Sequence, residues 1–381
     1  MRIAFVCSDP GVPVFGSKGC SVHAQGVLGA FARAGAQVEL FAARLGGEAP
    51  AELGGVVAHE HGVPVTKEPD AREVALMATN ALVVAQILDR GPFDLVYERH
   101  ALFAWAGVQA ARQLRVPGVL EVNAPLVAEQ AAHRVLVNRF AAEVGVRRSF
   151  AAASVIAAVS EPLRGWLEQC AEARGKVHVV ANGVDPRRFP RAPAAGSRPF
   201  TIAFVGTLKP WHGLSTLTSA FARVRESVPD ARLLVIGDGP GREGLEAELA
   251  TFGLEGAARL TGAVEPDQVG RLLADADVTV APYPASADHY FSPLKVVEGL
   301  ATGLPLVASR IGELPELVRD GQTGVLCVPG DPVDFANALV ALAHDPARRA
   351  RIGAAGRGWV LRERTWERVA DRILAAAEVP A

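Results

Sequence analysis

Short apolar runs alternate with helical patterns from one end of this chain to the other, and that alternation sets the fold class. Ile3 to Cys7, Val38 to Ala42, Leu95 to Tyr97, Gly118 to Val122, Val155 to Val159 and Val177 to Val180 form one series. Thr201 to Val205, Leu233 to Ile236, Val278 to Ala281, Leu306 to Ala308 and Gly324 to Val328 form a second. Runs that are apolar throughout belong to strands covered on both faces, hence to parallel sheets in βα units. The chain reads as α/β. Between the series, "PRRFPRAPAAGSRPF" (Pro186 to Phe200) has neither period and reads as an interdomain linker. At 381 residues, half of them apolar, there is core enough for two domains. The expected division is 1–190, 191–365 and a terminal helix over 366–381, which either packs back on the first domain or closes the second. Each domain is then a doubly wound sheet, and a cleft between two such sheets brings together the strand ends where ligands bind.

Charge narrows the partners. Lys plus Arg (39) nearly balance Asp plus Glu (41), and neither side of residue 190 is a polycation, which argues against nucleic acid. Cys7, Cys20, Cys170 and Cys327 are scattered without metal or disulfide spacing, which fits a reducing cytoplasm. No apolar segment approaches the ~20 residues of a membrane span, so any membrane contact is expected to be peripheral.

One stretch carries specific chemistry: "HYFSPLKVVEGLATGLPLVAS", residues 289–309. Ser292 is a good N-cap and Pro293 a good first helical residue, so a helix start there offers free N–H groups to an anion, with Lys295 in its first turn. Glu298 lies about 7.5 Å beyond Pro293 along the axis, at ~1.5 Å per residue. That spacing suits a diphosphate at the helix start and a vicinal diol at the carboxylate, as in a nucleotide sugar. The plainer alternative is an i,i+3 surface pair of Lys295 with Glu298.

"PLKVVEGLATGLPLVAS" resembles the signature of family 4 glycosyltransferases of the GT-B fold, whose helix carries a ribose-binding glutamate. "VVANGVDPRRF", "AFVGTLKPWHGLSTLTSAF" and "LLVIGDGPGREGLEAEL" resemble further elements of that family, in order, over roughly residues 155 to 330. The amino-terminal half matches more loosely, through "PGVPVFGSKGCSVHAQGVLGAFARAGAQVELFAA", "YERHALF" and "EVNAPL". The resemblance implies two doubly wound parallel-sheet domains facing each other across a cleft, and retaining sugar transfer from a UDP- or GDP-linked donor. It also implies no metal and no cofactor, the nucleotide sugar being a substrate. Four positions depart from the family. Tyr290 stands where it has a first glutamate, Thr207 and His212 where it clamps phosphate with Arg and Lys, and Asn123 where it commonly has histidine. The "SPLK" loop resembles a subgroup.

Donor contacts are accordingly expected from Gly16, Ser17 and Gly19 in the first loop; Gly206, Thr207 and Lys209; Asp238 and Gly239; and Tyr290, Ser292, Pro293, Leu294, Lys295 and Glu298. Lys209, Lys295 and His100 are the expected catalytic residues. Arg99, His100, Glu121, Asn123 and Glu129, at or just past strand ends, are expected on the acceptor or sugar side. Each has a bland alternative: Asp238 as a turn former, Trp211 as a loop anchor, His100 as a structural histidine. Gly11 and Gly16 have Walker spacing, but Ser17-Lys18 is in reverse order, and "GPGREG" lacks the acidic residue of a dinucleotide site. Arg134, Arg139, Arg147 and Arg148 mark a helical stretch that reads as a solvated face, or as one facing an anionic acceptor or membrane. The acceptor is a small molecule, glycan or lipid-linked group. Rival functions are an epimerase or phosphorylase of similar fold, or a non-catalytic nucleotide-binding protein.

Overall fold

The structure is a computed structural model and describes the chain apart from residues 64–65, 193–197, 286–289, 291 and 380–381. It forms two compact units, one of Met1–Gly183, Tyr290–Ser292 and Trp366–Ala381, the other of Val184–His289 and Pro293–Thr365.

The first unit holds seven parallel strands: β1 (Arg2–Cys7), β2 (Gln37–Ala42), β3 (Val57–Glu60), β4 (Leu95–Arg99), β5 (Gly118–Val122), β6 (Val155–Ala158) and β7 (Val177–Val179). Their order is β3-β2-β1-β4-β5-β6-β7. The second holds six: β8 (Thr201–Val205), β9 (Arg232–Ile236), β10 (Ala258–Leu260), β11 (Val278–Ala281), β12 (Leu306–Ser309) and β13 (Val325–Cys327), in the order β10-β9-β8-β11-β12-β13. Both units are thus doubly wound, and every strand expected from the apolar runs is present. The two that were not expected, β3 and β10, each end a sheet. An edge strand is partly solvated and tolerates the polar residues of "VAHE" and "ARL".

Around the first sheet lie α1 (Gly19–Arg33), α2 (Pro69–Arg90), α3 (Ala106–Leu114), α4 (Leu126–His133), α5 (Arg139–Ala152) and α6 (Glu161–Leu167). Around the second lie α7 (Leu214–Ser227), α8 (Arg242–Thr251), α9 (Pro266–Leu273), α10 (Leu294–Ala301), α11 (Leu314–Leu317), α12 (Pro332–His344) and α13 (Pro346–Glu363). Right-handed crossovers put α1 on one face of the first sheet and α2, α3 and α5 side by side on the other, in agreement with the packing of α2 on α3 and of α3 on α5.

The terminal helix α14 (Trp366–Ala376) packs on α1 within the first unit. Its Trp366 indole fills the space over Gly26, where a Cβ would lie 2.3 Å from the ring. The start of the sequence-read linker is packed on the second unit. Just before it Val184 bridges Thr365; within it Phe189 is buried, and Arg357 Nη1 donates to the Phe189 carbonyl at 3.0 Å. Residues 193–197 of that stretch lie outside the described residues.

One expectation needs correction. Helix α2, 22 residues with a stretch of mean hydropathy 1.3, is long and apolar enough to cross a membrane by length and composition. Charges cluster near its two ends and leave the middle apolar, and that middle escaped the reading. Its inner face is nevertheless built into the domain, as Val83 and Ile87 are fully buried.

Candidate functional site

In the second unit, β8 and β11 are neighbours whose following strands run in opposite directions along the sheet, so a crevice opens beyond their carboxyl ends. Gly206 leaves β8 at φ +135°, a backbone conformation side chains rarely adopt, and a Cβ there would lie 3.1 Å from Lys295 Nζ. Glycine lets backbone and ammonium meet. Lys295, in the first turn of α10, reaches over the Phe204 ring at 4.3 Å and the Tyr283 ring at 5.3 Å. Its Nζ is out of solvent and makes no hydrogen bond among the described residues. The ring faces compensate it only in part. Burial brings its pKa down to about 7, against a smaller upward pull from Glu298.

Glu298, one turn on, also stands without a hydrogen bond or ion pair among the described residues, so the i,i+3 pair with Lys295 does not form. Burial raises its carboxyl to about 7, with Arg188 and then Lys295 pulling the other way. A cation and a carboxylate in reach of each other, each lacking a close partner, leave both free for a ligand.

The start of α10 differs from its sequence reading. The helix runs from Leu294 with Pro293 as N-cap, and no side chain caps it. Ser292 is occupied elsewhere: its hydroxyl accepts from the Asn182 N–H at 3.3 Å and its carbonyl from Asn182 Nδ2 at 2.6 Å. The first-turn N–H groups of α10 therefore remain without a side-chain cap.

The loops after β8 and β9 are tied together, Leu208 donating to the Asp238 carbonyl and Gly241 to that of Leu208. Asp238 behaves as a turn former, its carboxylate accepting from the Gly239 N–H at 2.7 Å with Arg242 at 3.7 Å. Thr207 is exposed. Lys209 extends over Trp211 at 5.6 Å, and Trp211 is 47 % exposed and packs edge-on to His212. His212 donates through Nδ1 to the Thr207 carbonyl at 2.6 Å and lies edge-on to Tyr283, bracing the loop beside Lys295.

In the first unit the carboxyl ends of β4 and β5 carry a buried polar network, with Arg99 and Glu121 in register. Glu121 accepts from His23 Nε2 at 2.6 Å, Arg99 Nη1 at 2.7 Å, Asn123 Nδ2 at 2.6 Å and the Tyr97 hydroxyl. Burial alone would raise this carboxyl, but His23, Arg99 and Tyr97 together hold it well below the usual carboxylate range. Saturated by donors and 3 % exposed, Glu121 organises Arg99 and Asn123 and leaves little carboxylate for a ligand. His100, buried beside the Phe150 ring, has neither ring nitrogen hydrogen-bonded among the described residues, and burial, then Arg99, lower its pKa to about 4. It is neutral near pH 7.

The Gly16 carbonyl is held by Gln25 Nε2 at 2.8 Å, and Ser17 is exposed ahead of α1, which begins at Gly19 with no side-chain cap. Glu129 sits partly buried on α4. The Tyr290 carbonyl accepts from the Ser160 hydroxyl, and its side chain packs on the cluster of Phe150 and Leu163. Sequence reading passed over His23, Tyr97, Asn182, Phe204 and Tyr283. The signal was present for Tyr97, two residues from Arg99 and so on the same strand face. Among the described residues no three His, Cys, Asp or Glu side chains gather as a metal site would need, and all four cysteines are free.

Comparison with known proteins agrees with this fold. Residues 199–345 match the family described as glycosyl transferases group 1, and residues 17–188 match Glycosyltransferase Family 4. A GDP-mannose-dependent α-(1-6)-phosphatidylinositol monomannoside mannosyltransferase of Mycobacterium tuberculosis is 30 % identical, over 73 % of this chain and 76 % of that protein. A glycogen synthase of the same organism is 33 % identical over 51 % of this chain, and the match spans about half its own length, 46 %. Among solved structures, HepE of Anabaena in complex with UDP superposes with a TM-score of 0.74 at 20 % identity, covering 99 % of this chain and 100 % of that one. With both sheets, their order and these matches in agreement, the chain belongs to the family 4 glycosyltransferases and has the GT-B fold.

Proposed function

We propose that this chain transfers a sugar from a nucleoside-diphosphate sugar to an acceptor hydroxyl, with retention of configuration and without a metal ion. One observation carries the reading: Lys295 Nζ, buried and without a hydrogen-bond partner among the described residues at the end of β8, with Glu298 one turn further along α10. An ammonium in that state is suited to a diphosphate, and an unpaired carboxylate at that distance to the two ribose hydroxyls. The named relatives support a UDP- or GDP-linked donor, since one uses GDP-mannose and HepE binds UDP.

The chemistry follows from charge. As the bond between the anomeric carbon and the diphosphate oxygen breaks, negative charge grows on that oxygen, where Lys295, the N–H groups of the first turn of α10 and Lys209 of the β8 loop stabilise it. The acceptor oxygen bonds to the carbon from the face the diphosphate leaves, and its proton passes to the departing oxygen. No dedicated general base is then required. His100, neutral, serves as a hydrogen-bond partner for a sugar hydroxyl and not as a cation.

The test is a thermal-shift panel of UDP, GDP, ADP and their sugars on wild type and Glu298→Ala. One nucleotide family stabilises the wild type, and the substitution weakens that effect by about 1–3 kcal/mol, the value of charge-assisted hydrogen bonds. Equal stabilisation of the two proteins refutes the assignment.

A further inference from the structure

The solvent face of α2 is apolar for four turns. Ala71, Val74, Ala78, Ala81, Leu82 and Ala85 point outward, with Val74 59 % and Leu82 48 % exposed. At ~1.5 Å per residue this stripe is about 21 Å long. A helix covering a sheet ordinarily turns charge to water, and a contiguous apolar strip of this kind marks an interaction surface.

The inner face shows that α2 lies on the domain and does not leave it. Glu73 accepts from the N–H groups of Val137 and Asn138 at 2.8 and 2.7 Å, and Asn80 bonds the Phe103 carbonyl and the Trp105 N–H, each at 2.8 Å. The Glu73 bonds also bring the segment before α5 beside the start of α2. That segment is equally unusual, with Val135 62 %, Val137 54 % and Phe140 77 % exposed. Exposed Arg134, Arg139, Arg147 and Arg148 accompany it, and the one acidic side chain from 131 to 152, Glu143, is tied to Arg139 at 2.9 Å. Between α3 and α5 lies a depression of about 370 Å³ lined by Trp105, Arg112 and Arg148, with Arg148 stacking on the indole at 4.5 Å.

We propose that the outer surface of α2 and of residues 134–148 docks on an anionic lipid bilayer. Apolar side chains enter the boundary between headgroups and acyl chains, while the arginines meet lipid phosphates. A second copy of the chain fits less well, because a two-fold contact would set exposed Arg72, Arg134, Arg139, Arg147 and Arg148 against themselves, with only Asp70 and Asp89 at the ends of α2 and the already paired Glu143 to answer them. The proposal concerns where the enzyme works and does not depend on the donor site.

Co-sedimentation of the full chain with vesicles of phosphatidylcholine, with and without phosphatidylglycerol, tests it. Binding is expected to the phosphatidylglycerol vesicles and to fall with added salt. Arg134→Gln with Arg147→Gln lowers the partition by about thirty-fold, two arginines at about 1 kcal/mol each. Phe140→Ser with Leu82→Ser lowers it by about ten-fold or more. All four side chains are exposed, so an unchanged thermal midpoint shows the variants folded. Equal binding to both vesicle types, variants that bind like wild type, or a dimer abolished by Leu82→Ser without any vesicle binding would each overturn the proposal.

Discussion

Lys295 places its Nζ 4.3 Å over the centroid of the Phe204 ring, out of solvent and with no hydrogen bond among the described residues. A buried charge without a full partner costs stability in the free protein and is useful only when an anion arrives. Lys295→Met should therefore separate stability from function. The variant is expected to melt higher than wild type at pH 6, by about 1 kcal/mol or roughly 2–4 °C, and to lose stabilisation by any nucleotide sugar. Differential scanning calorimetry with and without nucleotide sugar reads both effects. A variant that melts lower and still responds to the donor would contradict the role given to Lys295.

The same two groups predict proton linkage of opposite sign. Lys295 has its pKa lowered to about 7, so at pH 8 it is largely neutral, and a diphosphate that favours the ammonium draws a proton in. Glu298 has its pKa raised to about 7, so at pH 6 it is largely protonated, and ribose hydroxyls that favour the carboxylate drive a proton out. Nucleotide-sugar binding is thus expected to take up protons at pH 8 and release them at pH 6. Titration calorimetry in buffers of different ionisation enthalpy measures this, and Glu298→Gln, which weakens binding without abolishing it, is expected to remove the release at pH 6 and keep the uptake at pH 8.

Glu121 predicts behaviour in acid. Its folded-state pKa is depressed, so its contribution is fully present above the unfolded value near 4.5 and is lost as pH falls below that. Glu121→Gln breaks a buried ion-pair network and is expected to cost about 3–5 kcal/mol at pH 7. Below pH 4 the difference from wild type should shrink. Denaturation curves at the two pH values decide it.

Gly26→Ala tests the seat of α14. Alanine normally favours a helix by about 1 kcal/mol over glycine. Here its Cβ would meet the Trp366 indole at 2.3 Å, and overpacking of this kind costs about 1–3 kcal/mol. Net destabilisation is expected, with partial recovery in Gly26→Ala/Trp366→Leu. Stability equal to or above wild type would show that the helix can shift.

How much the sequence revealed depended on burial. Strands covered on both faces announced themselves as apolar runs; β3 and β10, at the solvated edges, did not. Lys295 and Glu298 were legible because a charge in an apolar run has few explanations. The Phe204 and Tyr283 rings under Lys295 were not, since an aromatic residue at a strand end is also ordinary core. Ser292 followed the local capping rule in sequence, but Asn182, 110 residues away, claimed its hydroxyl. Glu121 was rightly placed near the strand ends, yet its four donors come from α1 (His23), β4 (Tyr97 and Arg99) and the residue following β5 (Asn123), a convergence that no local spacing encodes.

The placement of α14 on α1 has a consequence for biosynthesis. Apart from a three-residue visit at 290–292, the second unit is continuous from Val184 to Thr365 and can close as soon as it leaves the ribosome. The first unit begins earlier and finishes later, its α1 uncovered around Gly26 until Trp366 is translated. A nascent chain stalled before that tryptophan would carry one finished half and one with an open apolar seam, the form in which chaperones would meet it.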